Sequence, residues 1–359
     1  MGEPLLSTKI LIVDDSAYTR QLLRNIIEQE PRLEVVGVAV DGVDAMAKTL
    51  RLKPDIITLD FEMPGMDGFS FLRWLMHERP TPVIMVSSYN DTKTVFKALE
   101  LGAVDFIAKP TKRASLELRA IEKDLIQKLS GIKHIRLDKL SRNLELLDKE
   151  ESVASPSSRG QKKIELVAIG SSTGGPAALQ IILTRLPGNF PAAVVISQHM
   201  PRGFTAPLAE RLNKLSPLSI REAKDMDTIE PGTVLICPGG SHMGIDKKGS
   251  RHIVYLKEGT LEDKYTPSVD YMMSSASRAF GSLAMGVILT GMGNDGKSGM
   301  VDIKNKGGYT IAEAEETAVV FGMPAEAIKT GAVESILPIS DIPAAIARVV
   351  NVPVTREKK

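Results

Sequence analysis

A serine in a glycine-rich turn has the setting in this chain that most clearly predicts covalent chemistry. Ser172 is the central residue of Gly170-Ser171-Ser172-Thr173-Gly174, which follows an apolar run and precedes a helix-compatible stretch. The two glycines permit a sharp turn from strand to helix. Such a turn presents the hydroxyl, and the backbone N–H groups that follow it can face a developing oxyanion. The pattern therefore predicts a nucleophile at Ser172.

A serine hydroxyl needs a base and an acid that orients the base. His199 follows one downstream apolar run, and Asp295 lies in a glycine-rich segment after another. In an open α/β sheet the carboxyl ends of parallel strands line one crevice. We therefore predict that Ser172, His199 and Asp295 converge at one edge of a sheet.

The residues alone leave alternatives open at this site. Ser171 is a second candidate for the exposed hydroxyl, and His242 lies in another glycine-rich loop as a rival histidine. Asp295 is also a residue type that begins helices, so it could simply cap the helix that follows. The glycine-rich loops could bind a phosphate, although neither has a dinucleotide fingerprint or a Walker lysine.

A second polar set lies in the first third of the chain. Each member lies within two residues of the end of one of the apolar runs there: Asp14, Asp15, Asp60, Ser87 and Lys109. Crowded carboxylates repel one another unless a divalent cation lies among them, and oxygen ligands suit Mg²⁺. A carboxylate can attack a phosphoryl group, with Lys109 and Mg²⁺ compensating charge and Ser87 binding a phosphoryl oxygen. The set predicts a phosphoryl-accepting site; the alternative is a pair of solvated acids at Asp14 and Asp15.

Short apolar runs alternate with helical stretches in both halves of the chain and must position these residues. The first half has runs at 10–13, 35–38, 56–59, 83–86 and 104–107, with a last helix at 115–129. The second half has runs at 166–169, 193–196, 234–237, 253–256, 285–289 and 336–338. We predict an α/β protein with a five-stranded parallel, flavodoxin-like N-terminal domain and a doubly wound, mainly parallel C-terminal domain.

The segment between the two halves is highly charged and then rich in Ser, Pro and Gly, which is typical of a linker. Leucines at helical spacing around residues 136–149 make its first part compatible with a connecting helix. The predicted organisation is a domain at 8–130, a linker at 131–163 and a second domain at 164–352.

Composition excludes several classes of protein. The 359 residues are 43% hydrophobic and 25% charged, and 45 basic residues against 44 acidic ones give a net charge of +1, which argues against a nucleic-acid partner. The single cysteine forms no internal disulfide, and the N-terminus lacks a secretory pattern. No apolar run approaches the roughly 18 residues of a membrane span. We therefore expect a cytoplasmic protein without direct membrane insertion.

Four segments occur in order across nearly all of residues 8–130. They are Val13-Asp14-Asp15-Ser16, Asp60-Phe61-Glu62-Met63-Pro64-Gly65-Met66-Asp67-Gly68, Val86-Ser87-Ser88 and Asp105-Phe106-Ile107-Ala108-Lys109-Pro110. Together they resemble the receiver domain of two-component response regulators. The resemblance implies that Asp60 is phosphorylated and that Phe106 is an aromatic switch residue. It also implies the ligands of a Mg²⁺ ion, namely Asp14, Asp15, Asp60 and the backbone of Glu62.

Five further segments cover most of residues 165–335. They are Gly170-Ser171-Ser172-Thr173-Gly174-Gly175, Ser197-Gln198-His199-Met200-Pro201, Cys237-Pro238-Gly239-Gly240-Ser241-His242-Met243, Pro267-Ser268-Val269-Asp270 and Leu289-Thr290-Gly291-Met292-Gly293-Asn294-Asp295-Gly296. They resemble the catalytic domain of the chemotaxis protein-glutamate methylesterases, the CheB family. The chain order Ser, His, Asp differs from that of the α/β-hydrolases, so the short serine motif does not imply that fold.

The second resemblance implies roles for individual residues. Ser172 is the nucleophile, His199 the base and then the acid, and Asp295 fixes the histidine tautomer. Backbone N–H groups near Thr173 and Met292 are the implied oxyanion donors.

The two resemblances together imply an activity and its partners. The substrates are glutamate methyl esters on methyl-accepting chemotaxis receptors, methanol is released, and glutamine deamidation is a second activity. A chemotaxis histidine kinase supplies the activating phosphoryl group with Mg²⁺, and the esterase itself uses no cofactor. The alternative is a non-catalytic response regulator whose C-terminal domain binds a receptor or kinase.

One departure from the family pattern precedes Pro267. Members commonly carry a basic or His-Arg pair there, whereas this chain reads Lys264-Tyr265-Thr266. If those positions contact an acidic receptor segment, we expect a difference in substrate preference.

Overall fold

The computed structural model describes residues 7–87, 92–109, 116–131, 135–147, 164–260 and 262–350. The chain divides into two compact units, Met1–Ser141 and Arg142–Lys359. Ser88 and Pro110, which belong to the receiver-like segments, lie outside the described residues.

The first unit is built on a parallel sheet of five strands. In chain order these are β1 (Thr8–Val13), β2 (Leu33–Ala39), β3 (Ile56–Leu59), β4 (Val83–Ser87) and β5 (Asp105–Ala108). The strand order β2-β1-β3-β4-β5 is the flavodoxin-like order, which confirms the prediction for this half. The predicted apolar runs overlap all five strands. Each run is continuous because a parallel sheet is covered on both faces.

Five helices of this unit connect or follow the strands. They are α1 (Ala17–Ile27), α2 (Gly42–Leu52), α3 (Gly68–Glu78), α4 (Thr92–Glu100) and α5 (Leu116–Ser130). Three of them begin at side-chain caps, since Ser16, Asp41 and Asp67 each accept a hydrogen bond from the N–H three residues on. A core of buried aliphatic residues joins α1 and α5 to the sheet.

Helix α6 (Leu137–Leu147) confirms that the leucine spacing of the predicted linker indicates a helix. Its second half belongs to the second unit. There Asn143 Nδ2 donates to Thr317 O at 3.0 Å, and Arg185 Nη2 donates to Leu146 O at 3.1 Å. These bonds fix the end of α6 to the second unit.

The second unit has a parallel sheet of seven strands, ordered β14-β13-β12-β6-β7-β9-β8. The strands are β6 (Leu166–Ser171), β7 (Ala193–Gln198), β8 (Ser219–Glu222), β9 (Thr233–Ile236), β12 (Ala284–Ile288), β13 (Tyr309–Glu313) and β14 (Ser335–Leu337). Strands β10 (Ser241–Lys248) and β11 (Arg251–Glu258) form a separate antiparallel hairpin. The predicted doubly wound, mainly parallel class is confirmed.

Strand composition explains where the sequence prediction fell short. Strands β8, β10 and β13 were not predicted, because each mixes polar with apolar residues and none forms a continuous apolar run. The run at 253–256 does form a strand, but it lies in the hairpin rather than in the main sheet. Only Val254 of this strand is fully buried, and both ends of the strand are exposed, as in a two-stranded ribbon that is not covered on both faces.

Helices cover the second sheet. They are α7 (Gly175–Arg185), α8 (Thr205–Leu215), α9 (Val269–Phe280), α10 (Lys297–Asn305), α11 (Met323–Ile328) and α12 (Ile342–Val350). A core of buried residues joins α9 to strands β6, β7 and β9 and to the hairpin. No helix in the described part of the chain combines the length and the apolar character needed to cross a membrane.

Candidate active site and phosphoryl-accepting site

Strand register brings the serine and histidine segments together. Ser171 and Gln198 are paired at the ends of β6 and β7, so Ser172 and His199 leave adjacent strands side by side. His199 N donates to Ser171 O at 3.0 Å. Gly174 ends the serine turn with φ of 79°, a left-handed conformation that glycine adopts without strain.

Gln198 holds the backbone of both segments and was not singled out by the sequence. Its Nε2 donates to Ser172 O at 2.9 Å and to His199 O at 3.0 Å, while its Oε1 accepts from Ser171 Oγ at 2.6 Å. Ser171 is completely buried. Its hydroxyl is therefore committed to Gln198, which argues against the alternative that Ser171 is the exposed hydroxyl.

The end of strand β12 fixes the serine turn from the other side. Ser172 N donates to Thr290 O at 3.0 Å, and Thr290 Oγ1 donates to Thr173 O at 2.9 Å. The N–H of Thr290 donates in turn to the buried Glu313 Oε2 at 2.7 Å. Three adjacent strand ends, those of β6, β12 and β13, are thereby connected.

His199 and Asp295 are in direct contact. The Nε2 atom of His199 lies 2.8 Å from Asp295 Oδ2, and the histidine side chain is 13% exposed. An ionised carboxylate only accepts hydrogen bonds, so Nε2 carries the hydrogen and Nδ1 is the basic nitrogen of the neutral ring. The pair provides a base with a fixed tautomer.

Asp295 lies at the N-terminus of α9 and accepts several hydrogen bonds there. Oδ2 accepts from Val269 N at 2.6 Å, and Oδ1 accepts from Asp270 N at 2.9 Å and from Ser268 Oγ at 3.1 Å. Burial raises the pKa of this carboxyl, but the hydrogen bond and charge of His199 and the backbone donors outweigh burial and hold the pKa below its usual range. Asp295 is therefore ionised at neutral pH.

These contacts also decide the helix-cap alternative for Asp295. The helix that follows it, α10, has Gly296 as its N-cap and no side-chain cap. Asp295 instead caps the more distant α9, with its carboxylate at the positive end of that helix. The motif Pro-Ser-Val-Asp contains the N-cap of α9, Ser268, which is a residue type that could have indicated this helix start. Nothing in that motif indicates that the carboxylate bound at the start of α9 is the one of Asp295.

The oxyanion candidates lie on the two loops that flank Ser172. Thr173 is buried directly after the serine, and Gly291 packs so tightly against Ser172 that an added Cβ would lie 2.8 Å from Ser172 Cβ. Within the described ranges, the Met292 N–H has no hydrogen-bond acceptor. Across the same ranges, no hydrogen bond joins the Ser172 hydroxyl to His199. Catalytic hydrogen bonds of this kind commonly form only when substrate is bound.

The rival histidine, His242, supports the same helix start. Its Nδ1 accepts from Ser268 N at 3.2 Å, and its Nε2 lies 3.2 Å from Asp263 Oδ2. Hydrogen bonds from Thr260 and then from His242 lower the pKa of Asp263 to about 2. Both ring nitrogens of His242 are thus engaged, and Asp295 contacts His199 instead.

In the first unit, the strand-end acids form one cluster. Ligand oxygens of Asp14, Asp15 and Asp60 all lie within 4.8 Å of one another. Asp60 N donates to Val13 O at 2.9 Å, which places Asp60 beside Asp14 across the β1–β3 pair. The alternative of two isolated solvated acids fits only Asp15, because Asp14 and Asp60 are buried.

The cluster fits a hard divalent cation. Lys109 Nζ lies 2.5 Å from Asp60 Oδ2 and 3.3 Å from Asp14 Oδ2, and apart from this ion pair the buried Asp14 Oδ2 has no hydrogen-bond donor among the described residues. Burial raises the pKa of Asp14 to about 6; Lys109 opposes this shift and Asp60 adds to it. A buried carboxylate oxygen without a donor among oxygen ligands is the arrangement that Mg²⁺ satisfies.

The remaining predicted receiver residues lie on β4, on β5 and in the loop after β3. Ser87 is buried at the end of β4, and its carbonyl accepts from Lys109 N at 2.6 Å. Glu62 is exposed two residues after Asp60. Phe106 is buried, and the carbonyl of Phe106 accepts from the buried Lys128 Nζ at 2.5 Å. Lys128 was not singled out by the sequence, which gave no signal that this lysine faces the interior.

Magnesium is expected to stabilise the first unit more at about pH 7 than at about pH 5. Because the pKa of Asp14 is raised from 3.8 to about 6, its contribution to stability is fully present below pH 3.8 and is lost as pH rises through about 6. If the ionised carboxylate holds Mg²⁺, binding would offset that loss, by about 3 kcal/mol at a hundredfold excess over Kd. The Mg²⁺-dependent stabilisation is measured by thermal unfolding with and without Mg²⁺ at both pH values.

The Asp14→Asn variant is the control for that measurement. We expect it to lose most of the Mg²⁺-dependent shift at both pH values. An equal Mg²⁺ shift at the two pH values in the unmodified protein, or a full shift in the variant, would contradict this assignment of Asp14.

Comparison with known families defines the class of protein. The family model "Response regulator receiver domain" matches residues 10–121, and the model "CheB methylesterase" matches residues 167–346. The fold and the two sites thus belong to a response regulator that joins a receiver domain to a methylesterase domain.

Full-length relatives define the family more closely. Protein-glutamate methylesterase/protein-glutamine glutaminase 3 of Geobacter sulfurreducens is 49% identical, over 92% of this chain and 94% of the relative. Protein-glutamate methylesterase/protein-glutamine glutaminase 1 of Myxococcus xanthus is 43% identical, over 94% and 96%. The chain belongs to this family of CheB protein-glutamate methylesterases/protein-glutamine glutaminases.

A solved structure agrees with the fold of the second unit. The CheB methylesterase catalytic domain of Thermotoga maritima has a TM-score of 0.51 and 42% identity, and the match covers 53% of this chain and all of that one.

Proposed function

We propose that this chain hydrolyses glutamate methyl esters on methyl-accepting chemotaxis receptors and releases methanol. The observation that carries the proposal is the His199–Asp295 pair beside the Ser172 turn, where the carboxylate is held by the start of α9. The names of the relatives supply the substrate class. The residues supply the chemistry.

In the proposed first step, Ser172 Oγ forms a bond to the ester carbonyl carbon while His199 Nδ1 takes the hydroxyl proton. The negative charge that develops on the carbonyl oxygen is stabilised by backbone N–H groups at Thr173 and Met292, each worth about 10²- to 10³-fold in rate. His199 then gives its proton to the methoxy oxygen as the carbon–oxygen bond breaks. Methanol leaves, and an acyl-enzyme remains on Ser172.

The second half-reaction repeats this sequence with water. His199 removes a proton from the water that attacks the acyl carbon, and the proton returns to Ser172 Oγ as the acyl bond breaks. Asp295 stays ionised and stabilises the imidazolium in both halves. This esterase chemistry uses only the groups of the chain and water.

The same residues support glutamine deamidation. An amide carbonyl accepts the same attack by Ser172, and His199 protonates the leaving nitrogen, so ammonia replaces methanol as the first product. The "glutaminase" in the names of the relatives is consistent with this second activity.

The first unit is proposed to control this activity through phosphorylation of Asp60 by a chemotaxis histidine kinase. Asp14, Asp15, Asp60 and the backbone of Glu62 would hold Mg²⁺, which neutralises charge at the acceptor carboxylate when bound. Lys109 contacts Asp60, Ser87 ends the strand β4 that pairs with β3, and both side chains would offer donors to a phosphoryl group. A new charge on Asp60 competes for Lys109, and the buried Phe106 repacks as the aromatic switch residue.

The proposed domain boundaries are a receiver at 8–130, a linker at 131–163 and a catalytic domain at 164–352, and the proposed place of action is the cytoplasm. This chain would bind the receptors by protein–protein contact and would not insert into the membrane.

Phosphodonor is expected to raise methanol release from methylated receptor membranes by about 5- to 150-fold, the range of typical allosteric couplings. In the Asp60→Asn variant we expect only the basal rate, with or without phosphodonor and Mg²⁺. The matched control is Asp67→Asn, which removes the same charge from the same loop and keeps a good N-cap for α3. It should respond as the unmodified protein does.

Two results would contradict the proposal. A response that survives Asp60→Asn would remove Asp60 from the switch. Absence of methanol release from the unmodified protein under every condition would favour the non-catalytic alternative, in which the C-terminal domain is a binding module.

A further inference from the structure

An aromatic side chain lies flat on the proposed catalytic base. The rings of Tyr265 and His199 are stacked, with centroids 4.9 Å apart and an interplanar angle of 8°. Tyr265 lies in the segment where this chain departs from the common family pattern. We propose that Tyr265 is a positioning residue that fixes the plane of the His199 ring and stabilises its protonated form. This inference rests on the proposed function of His199.

Tyr265 is itself fixed to the loop that carries Asp295. Its hydroxyl donates to Asn294 Oδ1 at 3.1 Å and accepts from Asn294 N at 3.3 Å. The neighbouring Gly293 has φ of 91°, and an added Cβ would lie 2.2 Å from Tyr265 Oη. A glycine is therefore required there both for conformation and for the close approach of the tyrosine. The ring that stacks on His199 is thereby hydrogen-bonded to the residue that precedes Asp295.

The stack supplies a constraint that the Asp295 hydrogen bond lacks. A single hydrogen bond to Nε2 fixes that nitrogen but leaves the ring free to rotate about the bond axis. A second ring parallel to the imidazole holds its plane, so Nδ1 keeps one direction toward the reacting proton. Holding a catalytic group in one orientation lowers the barrier without any new bond.

The stack also favours the charged form of the ring. The face of a tyrosine ring is negative, so it attracts an imidazolium more strongly than a neutral imidazole. The ring gains its positive charge as Ser172 loses its proton, so the attraction is stronger in the transition state than in the state with a neutral ring. Such cation–π contacts correspond to about 5- to 30-fold in rate when partly desolvated.

Other charged groups near the stack are few among the described residues. Asp295 contacts His199 directly, and Asp270 lies behind Asp295 at the start of α9. Lys264 Nζ lies 4.9 Å from the Tyr265 centroid and donates to Asn294 Oδ1 at 2.8 Å. Lys264 acts on the tyrosine ring and on Asn294, and the tyrosine is the residue that meets the histidine face.

The test compares Tyr265→Leu with Tyr265→Phe in the intact chain. Leucine removes the ring, so we expect kcat for methanol release to fall about 5- to 30-fold, with KM little changed. The acid limb of the pH–rate profile should move to lower pH, because the protonated ring is no longer favoured. Phenylalanine keeps the ring, so Tyr265→Phe should retain most of kcat and the unmodified pH profile.

Three outcomes would overturn the inference. They are an unmodified kcat and pH profile in Tyr265→Leu, a change confined to KM, and an equal loss in Tyr265→Phe, which would assign the effect to the hydroxyl contacts with Asn294. Failure of the proposed function is a different result, because the unmodified protein itself would then release no methanol.

Discussion

Replacement of Ser172 by alanine is expected to lower methanol release by at least about 10⁴-fold, to the level that binding and oxyanion donors alone support. The variant loses the hydroxyl of the proposed nucleophile, which lies in the turn between β6 and α7. Alanine is smaller than serine and fits without a clash. The turn should be retained, because its hydrogen bonds are made by the backbone N–H and carbonyl of Ser172. Initial rates with methylated receptor membranes measure the loss.

Ser171→Ala is the matched control for this prediction. The change deletes a hydroxyl of the same type one residue earlier, and its cost is the hydrogen bond to Gln198 Oε1. Such a bond is worth about 1 kcal/mol, so we expect a loss of about tenfold or less. If Ser171→Ala were the inactive variant and Ser172→Ala remained active, the assignment of the nucleophile would be wrong.

Asp295→Asn is expected to lower kcat by about 10⁴-fold while the protein remains folded. Both carboxylate oxygens accept from N–H groups, Oδ2 from His199 and Val269 and Oδ1 from Asp270. An amide nitrogen therefore faces a donor whichever way the side chain is turned. The tautomer of His199 is no longer fixed, and the imidazolium loses its counter-charge.

Ser268→Ala separates this electrostatic role from simple support of α9. It removes one donor to Asp295 and the N-cap of α9, and leaves the carboxylate and the His199 contact in place. We expect a stability loss of about 1 kcal/mol and a rate within about tenfold of the unmodified protein. A similar collapse of kcat in both variants would mean that Asp295 acts mainly through the helix start.

The fold was predictable because its strands are nearly all continuous apolar runs. Strands such as β3 and β6 are buried on both faces of a parallel sheet. Their residues are therefore mostly apolar, and the run is visible in the sequence. Strand β8 has a single apolar residue, Ile220, and β10 ends in three exposed polar residues, so neither leaves such a run. Their pairing is decided by neighbours that are distant in the chain.

The candidate sites were predictable to the extent that strand ends place their residues. Ser172, His199 and Asp60 each directly follow a strand, and parallel strands bring such positions to one edge. The groups that hold them were not predictable in this way. Gln198 and Tyr265 act through contacts with backbone or rings, and nothing in their local sequence specifies those partners.

Asp295 was predictable in its position but not in the contacts that hold it. Its loop was recognised as a strand-end loop, and its carboxylate type suits an orienting acid. The role depends, however, on the start of α9, which supplies the Val269 and Asp270 N–H groups. The contact joins two loops separated in sequence by the whole of α9 and β12, and only the folded sheet brings them together.

The most direct test of the account is the initial rate of methanol release from methylated receptor membranes by the intact chain, with and without phosphodonor and Mg²⁺. We predict release that rises with phosphodonor in the unmodified protein, basal release without a response in Asp60→Asn, and release at least about 10⁴-fold lower in Ser172→Ala under either condition. Release by Ser172→Ala that still rises with phosphodonor would contradict the central claim, because it would separate the esterase from the serine turn.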